Sequence, residues 1–214
     1  MKVAILSESS ADEAAVKILL DALLGTETEL IPYRVALRRD GWASVIKNLQ
    51  RTIRAVYYYT DADAIAIVID SDDSPVHKPE HEEKTEPKCR LCEIVQILAG
   101  EKIKPVPGRA MLKEAMGLAV PALEAWLLCG VNPRVGEASW ERWLLTRGKR
   151  EYDRKSLKRE LYGTERPSIE LETEKMAAAA TRLVNEDDFP ANLTQIFPSG
   201  FGCFADGVRS WPNS

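Results

Sequence analysis

The feature that most constrains this chain is the run Ala64–Ile69 (AIAIVI), apolar without interruption and closing on Asp70-Ser71-Asp72-Asp73. A strand with one wet face alternates apolar and polar residues. An unbroken run predicts a strand covered on both faces, and such strands belong to parallel sheets with helices on either side. Lys2–Leu6 (KVAIL) predicts a first strand. The following SESSADE and the helical spacing of Ala14, Ala15, Ile18, Leu19, Ala22 and Leu23 predict a loop and a helix; Ser10 and Glu13 make a capping box that starts it near Ala11, and Gly25 stops it. Glu29–Leu37 predicts a second strand, placed at an edge by Pro32. Trp42–Tyr59 predicts a second helix, Leu91–Leu98 a third, and Ile103–Val106 a fourth strand. The alternation gives an α/β fold over residues 1–107: an open, mainly parallel four-stranded sheet flanked by helices, Rossmann-like in kind.

Residues 108–214 predict a helical extension packed on that core. Leu118–Val131 predicts a buried helix, Trp140–Tyr162 a long base-rich one, Ser168–Asn185 an amphipathic one, and the Gly-, Pro- and aromatic-rich chain from Phe189 onward an irregular tail. A length of 214 residues, 45% hydrophobic and 29% charged, suits one globular domain with an appendage and excludes wholesale disorder. Four cysteines are too few for a disulfide scaffold and, with no leader-like opening, predict a cytoplasmic protein. The stretch from Ala115 to Pro133 carries Glu124, two glycines and an internal proline, which predicts a buried segment and no membrane span. Lys plus Arg is 29 against 33 for Asp plus Glu, so any contact with a polyanion must come from a local patch.

In an open parallel sheet, ligands collect beyond the carboxyl ends of the strands. Glu8 lies two residues past the first strand, Asp70 at the end of the third and Asp72 just after it. If strands one and three are neighbours, in the order 2-1-3-4, these carboxylates converge, and anions so close repel one another unless a cation sits among them. Oxygen ligands of this kind suit Mg²⁺ or Mn²⁺. Asp70 and Asp72 are then ligands, while Glu8 completes the site or takes a proton from an attacking water. The competing account is structural: acids near a helix start complement the helix dipole, and Asp is common in turns after strands.

The glutamate of Ser7-Glu8-Ser9 and the Asp-x-Asp of Ile69-Asp70-Ser71-Asp72 resemble the TOPRIM motif of topoisomerases, primases and related nucleases, over residues 1–107. Ser9 stands where glycine usually follows the glutamate. Pro121–Leu128 (PALEAWLL) resembles small TOPRIM-like proteins encoded beside bacterial anti-phage systems. The resemblance implies metal-dependent hydrolysis of nucleic-acid phosphodiesters, in DNA or RNA, and a partner protein within a defence complex.

Both histidines and two cysteines fall between residues 77 and 92. His77 and His81 with Cys89 and Cys92 offer two nitrogens and two sulfurs to a tetrahedral Zn²⁺ that would close the charged loop after Asp73. Alternatively, the cysteines face the core from the first turn of the third helix, or one histidine serves the acidic site as acid or base. Glu124 needs a partner in its apolar surroundings: Arg109 or Lys113 as an ion pair, or the metal site as a further ligand. Arg147, Lys149, Arg150, Arg154, Lys155, Lys158 and Arg159, against Glu151 and Asp153, form a basic patch that predicts nucleic-acid binding or a solvated helix face. The alternative function is a non-catalytic interaction module presenting Trp140, Trp143, Phe201, Phe204 and Trp211 to a partner protein. A receiver-like domain with a phosphorylatable Asp ranks third.

Overall fold

In the computed structural model, which describes residues 1–33 and 41–211, the central strand is β3 (Ala64–Asp70), buried along its whole length. β1 (Lys2–Leu6) pairs with it in parallel on one side, with Leu6 opposite Ile67. β4 (Lys113–Ala119) pairs in parallel on the other, with Asp70 opposite Ala119. β2 (Glu29–Leu30) lies outside β1, so the order is β2-β1-β3-β4, all parallel, as the apolar runs predict. The expected continuation of β2 ends early, since Ile31–Tyr33 are not strand and residues 34–37 lie outside the described residues.

Helix α1 (Ser10–Leu24) starts one residue before the expected position. Its cap is Ser9, whose hydroxyl accepts from the Asp12 amide at 3.2 Å, and Gly25 ends it in the left-handed conformation. Ser9, which follows Glu8, therefore has a local task, in ordinary extended backbone. Helices α2 (Gly41–Tyr59) and α4 (Arg90–Gly100) match their expected places; the single turn α3 (Glu80–Glu83) lies between β3 and α4.

The fourth strand is a correction. Ile103–Val106 forms no strand, and β4 comes from a segment with little β propensity, beyond the expected core boundary at residue 107. Packing explains the choice: a Cβ on Gly117 would fall 2.9 Å from the side chains of both Trp126 and Phe204, so β4 is thinned there to admit two rings. The expected helix Leu118–Val131 shrinks to α5 (Leu123–Leu127), because residues 118 and 119 belong to β4. The expected helix Trp140–Tyr162 divides into α6 (Glu137–Thr146) and α7 (Arg154–Tyr162), and α8 (Ile169–Val184) follows. Among the described residues, no helix is long and apolar enough to cross a membrane.

The tail is ordered where irregularity was expected. After α9 (Ala191–Ile196), a π-helical turn (Pro198–Gly202) and α10 (Cys203–Arg209) press Phe197, Phe201 and Phe204 into the core, all fully buried. Trp126 meets Phe201 edge-to-face at 5.4 Å. The turn is held by Glu137, which accepts from the amides of Ser199 (3.0 Å) and Gly200 (2.6 Å). Gly200 lies so close to β4 that a Cβ would sit 2.1 Å from the Leu118 carbonyl oxygen. Gly200→Ala is therefore expected to destabilise the fold by about 2–3 kcal/mol through overpacking. Glu137→Ala should cost about 1–3 kcal/mol through unpaired buried amides. Denaturant unfolding checks both, and wild-type midpoints would contradict this seating of the tail.

Candidate metal-binding active site

The parallel pairing of β1 and β3 sets the site. Past the strand ends, the Ser7 hydroxyl donates to the Val68 carbonyl (3.1 Å), and the amides of Ser71 and Asp72 donate to the carbonyls of Ala119 and Pro121 at 2.7 and 2.9 Å. Glu8 and the Asp70–Asp72 turn are thereby fixed at one edge of the sheet. Asp70 accepts from the Leu123 amide (3.0 Å) at the start of α5 and from Arg154 (2.7 Å). Asp72 has left-handed backbone (φ 48°) and is gripped by Arg90 at 2.7 Å and by Arg154. Arg90 also donates to the Asp70 carbonyl (2.6 Å) and lies 3.9 Å from Glu8, so one guanidinium touches all three residues of the expected triad.

Glu8 and Asp70 open into a cavity of about 990 Å³, with Asp12, Glu13, Glu124, Glu170 and Glu172 also on its walls and Arg154 and Lys158 as its cations. Asp72 does not line it. Glu8 Oε1 is buried and makes no hydrogen bond. This crowding acts on protonation. Burial first, and then the Glu124 charge, pushes the Asp12 carboxyl up to about 7. Burial alone does the same for Glu13. Burial also raises Asp70, against the opposing pull of Arg154, and raises Glu124. A pocket with more carboxylates than cations, and with a buried Glu8 oxygen that faces Arg90 at 3.9 Å but makes no hydrogen bond, fits an oxygen-ligated divalent ion.

The partner of Glu124 is Lys158 (3.8 Å) together with the Tyr162 hydroxyl, which donates at 3.1 Å. Arg109, expected for this role, instead donates to the Ala62 carbonyl and stacks on Tyr57. Helix α7 places the true partners. Asp153 and Ser156 form a reciprocal capping box at its start, and Arg154, Lys158 and Tyr162 follow at four-residue intervals, one row facing the cavity. The basic segment is therefore split. Arg150 (to Asp73), Arg154 and Lys158 turn toward acids, Arg147 stacks on Trp143, Arg159 pairs with Glu165, and Lys149 and Lys155 are exposed. The expected aromatic anchors are mostly interior: Trp140, Phe201, Phe204 and Trp211 are buried, and Trp143 is half-buried beneath Arg150.

His77, His81, Cys89 and Cys92 come together and could hold a metal ion such as zinc: one ligand atom from each lies within 4.8 Å of the others. His77 Nδ1 is 3.5 Å from Cys89 Sγ and 3.6 Å from Cys92 Sγ. A tetrahedron with Zn–S near 2.3 Å and Zn–N near 2.0–2.1 Å has N···S edges of about 3.6 Å. His81 Nδ1 is buried and makes no hydrogen bond. Neither histidine lines the acidic cavity, so they sit apart from the role of acid or base there.

Asp12 and Arg90 are the site residues the sequence conceals. Asp12 reads as a first-turn acid complementing the helix dipole, and the signal for Arg90 is only its place between two cysteines. Comparison with protein-family models, curated proteins and solved structures finds no match.

Because the folded Asp12 titrates at about 7, above its ordinary 3.8, the metal-free folded chain binds more protons than the unfolded chain between those values. Its contribution to stability is present at low pH and fades as pH rises toward 7. Thermal unfolding from pH 5 to 8 should show a fall in Tm that Asp12→Asn flattens; an equal slope in both proteins would contradict the crowding.

Proposed function

We propose that this chain is a divalent-metal-dependent phosphodiesterase acting on nucleic acid, TOPRIM-like in its site. The observation that carries this is the convergence of Glu8, Asp70 and Glu124, from three separate segments, on one cavity whose carboxylates outnumber its cations. Glu8, Asp70 and Glu124 would hold Mg²⁺ or Mn²⁺, with Asp12 beside them and Asp72 tied to the arginines. Such an ion polarises a phosphodiester and favours an attacking hydroxide.

The chain's own groups supply the rest. Glu8 Oε1, buried and without a hydrogen bond, either completes the ion's ligand set or accepts a proton from the attacking water. Arg154 and Lys158, already facing the cavity, neutralise phosphate oxygens, and Tyr162 fixes the Glu124 carboxylate through its hydroxyl. Lys149, Lys155 and Arg147, exposed in the same basic segment, would add attraction for the nucleic-acid backbone. A protein partner in a defence complex fits this reading, though not through the buried aromatic residues. In the same reading, Zn²⁺ at His77, His81, Cys89 and Cys92 is structural.

Asp70→Asn keeps an acceptor for the Leu123 amide while removing the charge, so it separates chemistry from capping. Cleavage of single-stranded and duplex DNA and RNA by the full chain, with Mg²⁺ or Mn²⁺, should fall about 100-fold or more in Asp70→Asn and in Glu8→Gln, with unchanged circular dichroism. Metal-dependent cleavage at the wild-type rate in both variants would overturn the assignment.

A further inference from the structure

We infer that the His/Cys cluster, carrying zinc as read above, positions Arg90 at the acidic site, so that metal occupancy of one site sets the cation affinity of the other. The segment responsible is Cys89-Arg90-Leu91-Cys92, the entry to α4. Residues three apart share a helix face, while an adjacent residue points about 100° away. One turn therefore offers both thiols to His77 and presents the guanidinium between them to the sheet edge, where it holds Asp72 and the Asp70 carbonyl.

At the start of α4 the Cys89 amide donates to the Glu86 carbonyl (2.9 Å) and the Arg90 guanidinium lies over Trp42 at 4.9 Å, while Cys89, the N-cap, makes no side-chain cap hydrogen bond. The connection from β3 to α4 is long and contains only the single turn α3, the kind of loop that needs a function or a tether. The orphaned nitrogen of His81 and the ligand spacing at His77 supply the tether. Arg90 is thus a positioning residue: it fixes the left-handed Asp72 and adds a charge beside Glu8, and zinc fixes Arg90.

The test uses the full chain, first assayed for zinc by elemental analysis, then followed by hydrogen exchange over residues 71–74 and by Mn²⁺ titration. About one zinc per chain is expected, and less than about 0.1 would overturn both the structural zinc and the coupling. Stripping zinc with a chelator, or removing one of its ligands through Cys92→Ser, should speed exchange at 71–74 by about tenfold. Zinc-loaded Arg90→Gln should do the same, Arg90→Lys less, and zinc loss in Arg90→Gln should add nothing there. Mn²⁺ affinity should shift about fivefold or more with zinc loss in the wild type and less than about twofold in Arg90→Gln. Faster exchange confined to residues 76–92, or effects of zinc loss and Arg90→Gln that multiply, would overturn the coupling. Failure of Mn²⁺ to bind any form would instead count against the phosphodiesterase reading and leave the exchange cycle as the test of Arg90.

Discussion

The parallel pairing of β1 with β3 is the interaction on which the rest of the molecule depends. With Leu6 opposite Ile67, β1 stops three residues short of the end of β3, and the two residues that follow Leu6 carry Glu8 to the edge where Asp70 closes β3. Burial and mutual repulsion both oppose ionisation there, which is why Asp12, Asp70 and Glu124 are all driven upward. Such a site persists only with compensation. Arg90 comes from α4, and Arg154 and Lys158 come from α7, held in line by a capping box far along the chain. The extension is therefore part of the site: without α7, the acids of the sheet would lack two of their cations.

How much of this the sequence discloses follows from the range of the forces involved. β1 and β3 are legible because burial on both faces leaves an unbroken apolar run, and with them come Glu8 and Asp70 at their ends. β4 is not legible, because its residues are chosen by what presses on them: Gly117 has no strand propensity and is there to admit Trp126 and Phe204. The tail misleads for a related reason. Its glycines and prolines look like breakers, yet Gly200 is a close-approach residue under a ring-filled core. The basic segment is legible as a charge excess, but which bases turn inward depends on the register of α7, fixed by Asp153 and Ser156. Arg90 escapes altogether, since its partners lie some twenty residues back along the chain and are brought near by tertiary structure.

The acidic pocket and the His/Cys cluster offer opposite ligand chemistry. Hard carboxylate oxygens gather at the sheet edge, whereas two sulfurs and two nitrogens gather at the start of α4, where burial pushes the Cys89 thiol up to about 12. On the proposed reading, ligand softness would keep the two ions distinct: thiolate and imidazole favour zinc, carboxylate favours magnesium or manganese. Cys89, Arg90 and Cys92 join the two, so a single helical turn belongs to both sites.

The central claim is that the strand-end carboxylates form a divalent-ion site, and anomalous diffraction from crystals of the full chain grown with Mn²⁺ tests it most directly. The account predicts an anomalous peak above the manganese edge within ligand distance of Glu8, Asp70 or Glu124 inside the cavity, separate from any zinc peak at His77 and Cys89. A cavity with no manganese peak, its carboxylates still engaged by the chain's own groups as they are here, would contradict it.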